Sequence, residues 1–230
     1  MLVDWIKSLP HEISLYHSNR PRPFVRSVHE LYIFYFVSLI VFSHHHGKSL
    51  GSHAASLIQL VASTMAVRLY EEIDFRDQVT YLSSTHNWCL MVACIPQIGF
   101  QNTIYDEDQS CAKDLQILVA VLKQLADKWP PSRRILNLVQ KAWRPESTIV
   151  GNEVLDSPGR AFQTDSGGDL LEARDLFPFP DSAIPLLRSL SGCRLGTTVN
   201  APRGDATFDS SINWMYDELI LDNNHTFSFG

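Results

Sequence analysis

The 230-residue sequence has no cysteine pair at C-x-x-C spacing, no dense basic stripe, no uninterrupted apolar run of about 20 residues and no internal repeat. Its four cysteines, Cys89, Cys94, Cys111 and Cys193, stand 5, 17 and 82 residues apart. That spacing offers neither a structural zinc site nor a dithiol redox motif. Cys89 and Cys94 lie among apolar residues and read as small buried hydrophobes. With no secretory signal, a reducing intracellular compartment is expected.

Without a basic stripe the chain has little with which to neutralise phosphates, so direct nucleic-acid binding is not expected of it. The formal net charge of −6 is unevenly placed. Residues 1–145 hold 14 Lys+Arg and 12 Asp+Glu, whereas residues 146–230 hold 5 and 13. A near-neutral body therefore precedes an acidic tail. The longest apolar run, Leu31 to Phe42, is twelve residues, bounded by His29-Glu30 and by His44-His45-His46. A span needs about 20 residues, so this run reads as a central core helix and no membrane role is expected.

What is present is helical periodicity. A helix from about Val25 to His46 is followed by a turn at Gly47 and Gly51, with Ser52 as the next N-cap. Ala54, Ile58, Val61, Met65 and Leu69 then mark one buried face, and Arg68–Glu72 is expected as an i,i+4 pair on the wet side. A helix beginning near Ser84 carries Trp88, Met91 and Ile95, with Pro96 expected to kink or end it. After an acidic loop at Tyr105–Asp108, Ser110 caps a helix in which Leu115, Leu118, Leu122, Leu125 and Trp129 step by three or four. Pro130-Pro131 stops it, and Ser132 is expected to cap the last helix, bearing Ile135, Leu136, Val139 and Trp143. The expected fold is all-α: an irregular helical domain over residues 1–145 and a largely disordered acidic tail over 146–230. Residues 151–210 are rich in Gly, Pro, Ser, Asp and Thr. Hydrophobic islands interrupt the tail at Leu170–Asp181 and Ile212–Asp222.

Several motifs fit bland explanations better than chemical ones. Asp165-Ser166-Gly167-Gly168 copies a serine-protease core but has Thr164 and Asp169 at its flanks, and sits in a Ser/Gly-rich linker. Three successive helical histidines at 44–46 point about 100° apart and cannot share one ion. Asp106-Glu107-Asp108 and the Glu71, Glu72, Asp74, Asp77 group read as solvated turn charges. His29-Glu30 lacks the second histidine of a zinc-protease helix, and Asn224-His225-Thr226 is a chance-level sequon. With no nucleophile–base pair, metal constellation or phosphate loop, an enzyme is not expected. The second island differs. Trp214, Met215, Tyr216, Leu219, Ile220 and Leu221 interleave with Asp217, Glu218 and Asp222, the acidic-hydrophobic pattern of activation segments. The alternative for this island is a short helix that docks on the body as a C-terminal strap. Within the body, Tyr32, Phe36, Trp88 and Met91 form a candidate small-molecule pocket, although aromatic helix faces are usually core.

Five segments in order resemble the fungal transcription factor regulatory domain, or middle homology region. Trp5…Leu9-Pro10-His11-Glu12 looks like its W-x-x-x-L-P entry and His29-Glu30-Leu31-Tyr32 like its L-H-x-x-Y helix start. Ala54-Ala55-Ser56-Leu57-Ile58 is similar to its A-A helix, and Trp88-Cys89-Leu90-Met91 to its tryptophan-containing helix. Asp114-Leu115…Leu118…Leu122…Trp129-Pro130-Pro131-Ser132 resembles its D-L…W-P-x-A ending. At Val41–His46 the chain departs from the family's L-H-R-P-like helix end. The resemblance implies a nuclear transcription regulator acting on the transcription machinery or co-regulators; the alternatives are a small-molecule-sensing helical domain, with its effector at the candidate pocket, and a truncated paralogue that does not bind DNA. It implies zinc and DNA contact only through a six-cysteine cluster that precedes this domain in the family and is not in this sequence. No cofactor is expected in this chain.

Overall fold

Helix α1 (Leu2–Ser8) precedes a single 3-10 turn at His11–Ile13 and a two-residue hairpin, β1 (Tyr16–His17) with β2 (Arg20–Pro21), Tyr16 opposite Pro21. Asn19 takes the left-handed turn position (φ 63°), which its short polar side chain tolerates. The computed structural model describes residues 2–17, 19–47, 52–101, 110–143, 172–191 and 193. Among these the hairpin is the only sheet, and the fold is all-α.

The run Leu31–Phe42 becomes the middle of α2 (Arg26–His45). Ile33, Phe36, Val37 and Ile40 bury one flank and Tyr32, Tyr35, Leu39 and Ser43 another, while Phe34, Ser38 and Phe42 leave a narrow exposed stripe at i+4 spacing. Burial on more than one side explains the near-continuous apolar sequence. Among the described helices α2 is the one long and apolar enough to cross a membrane, and half of that stretch is covered by the rest of the chain. Its main cover is α3 (Ser52–Phe75), which also packs on α4 (Thr85–Phe100) and α5 (Ser110–Lys128). Asp77, at φ 55°, turns the chain out of α3, and the Gln78 N–H donates to the Ile73 carbonyl at 3.0 Å.

Pro96 does not end α4. The helix continues to Phe100 with Pro96 buried inside it. A proline removes one backbone donor and disturbs the turn before it. In that turn Ser63 Oγ donates to the Ala93 carbonyl at 2.6 Å, supplying a hydrogen bond from α3. Gln97 Nε2 in turn donates to Ser63 Oγ (2.9 Å) and Thr64 Oγ1 (3.1 Å). One buried polar cluster thus ties α3 to α4 at the proline.

Two expectations about helix surfaces are corrected. Arg68 does not pair with Glu72; it reaches Glu71 at 2.8 Å and Asp114 of α5 at 2.6 Å, while Glu72 pairs with Arg76. Asp114 is 1% exposed, and a buried carboxylate draws a cation more strongly than an exposed one does. Ser132 is not an N-cap, because α6 (Pro130–Ala142) starts two residues earlier on Pro130, whose fixed φ suits the first helical turn. Ser132 Oγ instead donates to Asn87 Oδ1 at 2.6 Å in a buried α6–α4 contact. Replacing Arg68 by alanine takes the cation from a buried carboxylate and is expected to cost about 2 kcal/mol. Urea unfolding checks this, with Arg68→Lys recovering part of the loss.

The largest difference concerns the tail. Residues 172–191 and 193, expected within its low-order part, fold onto the body through 3-10 turns at Ala173–Leu176 and Pro185–Leu190. Ala173, Leu176, Phe177, Phe179, Ile184, Leu187 and Leu190 join the same apolar cluster as α2 and α3. The expected acidic loop at Tyr105–Asp108 and the Asp165–Gly168 motif lie outside the described residues.

Candidate functional site

The most concentrated group of large side chains lies where α2 meets the C-terminal segment. The spacing 32, 35, 36 puts Tyr32, Tyr35 and Phe36 on adjacent parts of one helix face. Phe177 stacks on Phe36 at 6.2 Å between ring centroids and 11° between planes. Phe179 lies edge-on to Tyr32 at 5.7 Å and also touches Phe36 at 5.6 Å and Tyr16 at 6.0 Å. Trp5 of α1 stacks on Tyr35 at 5.7 Å.

Polar contacts hold this segment in register. Tyr35 Oη donates to the Leu176 carbonyl at 2.6 Å inside the core. Burial raises the Tyr35 phenol pKa well above its usual value, so it remains a donor. Arg174 donates to the Phe177 and Phe179 carbonyls and reaches Asp181 at 2.9 Å, pinning the Phe-Pro-Phe-Pro turn from within. The Ala173 N–H donates to the Cys193 carbonyl at 2.8 Å, and Lys7 meets Asp175 at 3.2 Å on the surface.

Of the four candidate pocket residues, the structure brings together Tyr32 and Phe36, and the chain's own Phe177 and Phe179 pack against them. Met91 is buried in the main core, whereas Trp88 is 39% exposed on α4. The Leu170–Asp181 island is visible in the sequence, but its packing against α2 is not. The available signal was its density of Leu and Phe, too apolar for a linker, continued by Leu186, Leu187 and Leu190.

A second buried feature links α3 to α4. Tyr70 Oη lies 3.0 Å from His86 Nδ1, and both residues are fully buried. Burial lowers the His86 pKa to about 4 and raises that of Tyr70, so both are neutral at physiological pH. His86 Nε2 has no hydrogen-bond partner among the described residues. Burial likewise pushes the Cys89 thiol to about 12 and the Cys94 thiol up, which makes both poor nucleophiles. Among the described residues no three of His, Cys, Asp and Glu gather as metal ligands. An open cleft of about 170 Å³ lies between the hairpin and the start of α2, lined by Glu12, Leu15, Arg22, Val28 and His29 among others. His29 there donates Nδ1–H to the Val25 carbonyl at its own helix start, at 3.0 Å. The histidines at 44–46 close α2, with His45 and His46 exposed. The candidate activation residues Trp214, Met215, Tyr216, Leu219, Ile220 and Leu221 lie outside the described residues.

Compared with known proteins, the chain matches no family model, no curated protein and no solved structure.

Proposed function

We propose that the chain is the regulatory half of a fungal zinc-cluster transcription regulator, in which a helical body carries an acidic-aromatic segment that contacts the transcription machinery. The observation that carries this reading is the partition of chemistry along the chain. Tyr32 and Phe36 of α2 are packed against Phe177 and Phe179, whereas Trp214–Leu221 mixes apolar side chains with Asp217 and Glu218. Acidic neighbours keep such groups in water and available to an apolar groove on a partner. The ordered motifs of residues 5–132 and the all-α body support the same reading. It assigns the chain a nuclear setting, no catalytic role and no cofactor of its own, with DNA reached through a zinc cluster upstream.

The test is a reporter driven by residues 194–230 fused to a foreign DNA-binding domain, leaving out the packed segment. The fusion is expected to activate. Trp214→Ala with Leu219→Ala is expected to cut the signal at least about fivefold, as loss of anchor residues does elsewhere. A silent fusion, or one indifferent to both substitutions, sinks the reading.

A further inference from the structure

In the cleft between the hairpin and the start of α2, opposite charges share one opening without pairing with each other. Arg22 and Glu12 both line it. Arg22 donates to the His11 carbonyl, and its remaining guanidinium N–H groups have no partner among the described residues. Glu12 Oε1 lies 3.2 Å from His11 Nδ1 on the exposed rim. Arg20, Lys113 and Lys123 also lack a carboxylate, but none of them lines a cleft beside one. Leu15, Val25 and Val28 form the apolar wall. Leu15 belongs to the main core, Val28 packs against that core, and the Arg22 N–H donates to the Leu15 carbonyl at 2.9 Å, so the wall is preorganised.

His29 also lines the cleft and is 8% exposed. With Nδ1–H given to the Val25 carbonyl, its Nε2 carries a lone pair, and no described residue donates to it. Burial lowers the pKa of this ring, which is therefore a neutral acceptor at physiological pH. No side chain caps α2 at Val25, which leaves the positive end of the helix dipole at the same opening.

We infer that this cleft binds a free α-amino acid with an aliphatic side chain. Its carboxylate meets Arg22 and the start of α2, its ammonium donates to Glu12 and to His29 Nε2, and its side chain lies on Leu15, Val25 and Val28. A simple anion fits worse, because Glu12 repels it. A purely apolar ligand would strip water from both charges and return no partner. The volume of about 170 Å³ suits a ligand of this size, since a cavity of about 150 Å³ accepts benzene. The site goes beyond the transcriptional reading and does not depend on it.

Calorimetric titration of the full chain with L-leucine, L-isoleucine and L-valine tests it. Saturable binding of at least one is expected, with a Kd between about 0.1 and 1 mM for so small a ligand. The N-acetyl derivative of the best binder lacks the ammonium and its amide lacks the carboxylate. Each is expected to bind at least about tenfold more weakly, through loss of a charge-assisted hydrogen bond. E12Q should weaken the amino acid at least about fivefold and leave the N-acetyl derivative unchanged. R22Q should weaken it likewise and leave the amide unchanged. Glu12 is exposed and Arg22 half-exposed, so both variants should keep the helical circular dichroism. The inference is overturned if none of the three amino acids saturates by about 20 mM, well above that range. It is also overturned if either derivative binds as tightly as the amino acid, or if E12Q binds it as the unaltered chain does. Reporter activity has no bearing on these outcomes, so the two readings fail separately.

Discussion

Phe177→Ala is expected to lower the stability of the whole body by about 3–5 kcal/mol, as deletion of a fully buried aromatic does. Phe177 is 0% exposed and stacked on Phe36, itself 0% exposed, so truncation opens a cavity between α2 and the C-terminal segment. The neighbouring ring of Phe179 and the Tyr35–Leu176 bond are held by the same turn and lose their support with it. Urea unfolding followed by circular dichroism measures the change. Leu219→Ala, in the acidic segment, is expected to shift the midpoint far less. Equal and small effects from both would mean that residues 172–193 are not part of the cooperative core.

Stability is also expected to depend on pH through His86. Its pKa is lowered by burial from the ordinary 6.5 to about 4, so between those values the unfolded chain binds the proton that the folded chain does not. The contribution is therefore complete above about pH 6.5, falls as pH drops, and is lost below about 4. The shift corresponds to about 3 kcal/mol. His86→Gln removes the titration while keeping a polar group near Tyr70. The stability advantage of the unaltered chain over this variant should shrink by about that amount between pH 7.5 and 4. A difference that stays constant with pH would place the His86 ring in contact with water.

The helices were legible because their periodicity is local. The buried steps of α5, from Leu115 to Leu125, and the burial of α2 on more than one side follow from spacing and composition alone. The C-terminal segment was not legible in the same way. Its prolines at 178, 180 and 185 break any helical period, and its 3-10 turns place apolar side chains by contact with α1, α2 and α3. Ser132 and Arg68 depart from the local expectation for a related reason. Local rules favour an N-cap and an i,i+4 pair, but Asn87 and Asp114 on neighbouring helices offered buried partners. The pocket proposed from Tyr32, Phe36, Trp88 and Met91 joined residues by aromatic character, and only distant contacts reveal that Phe177 and Phe179 fill the space beside the first two.

The proposed membership of the zinc-cluster regulator family has one direct test, the sequence of the full transcript and genomic DNA upstream of the codon for Met1. The account predicts an open frame encoding six cysteines at zinc-cluster spacing, followed by a linker that runs into Trp5. An in-frame stop close upstream, with no such cluster on any transcript joined to this chain, would contradict it.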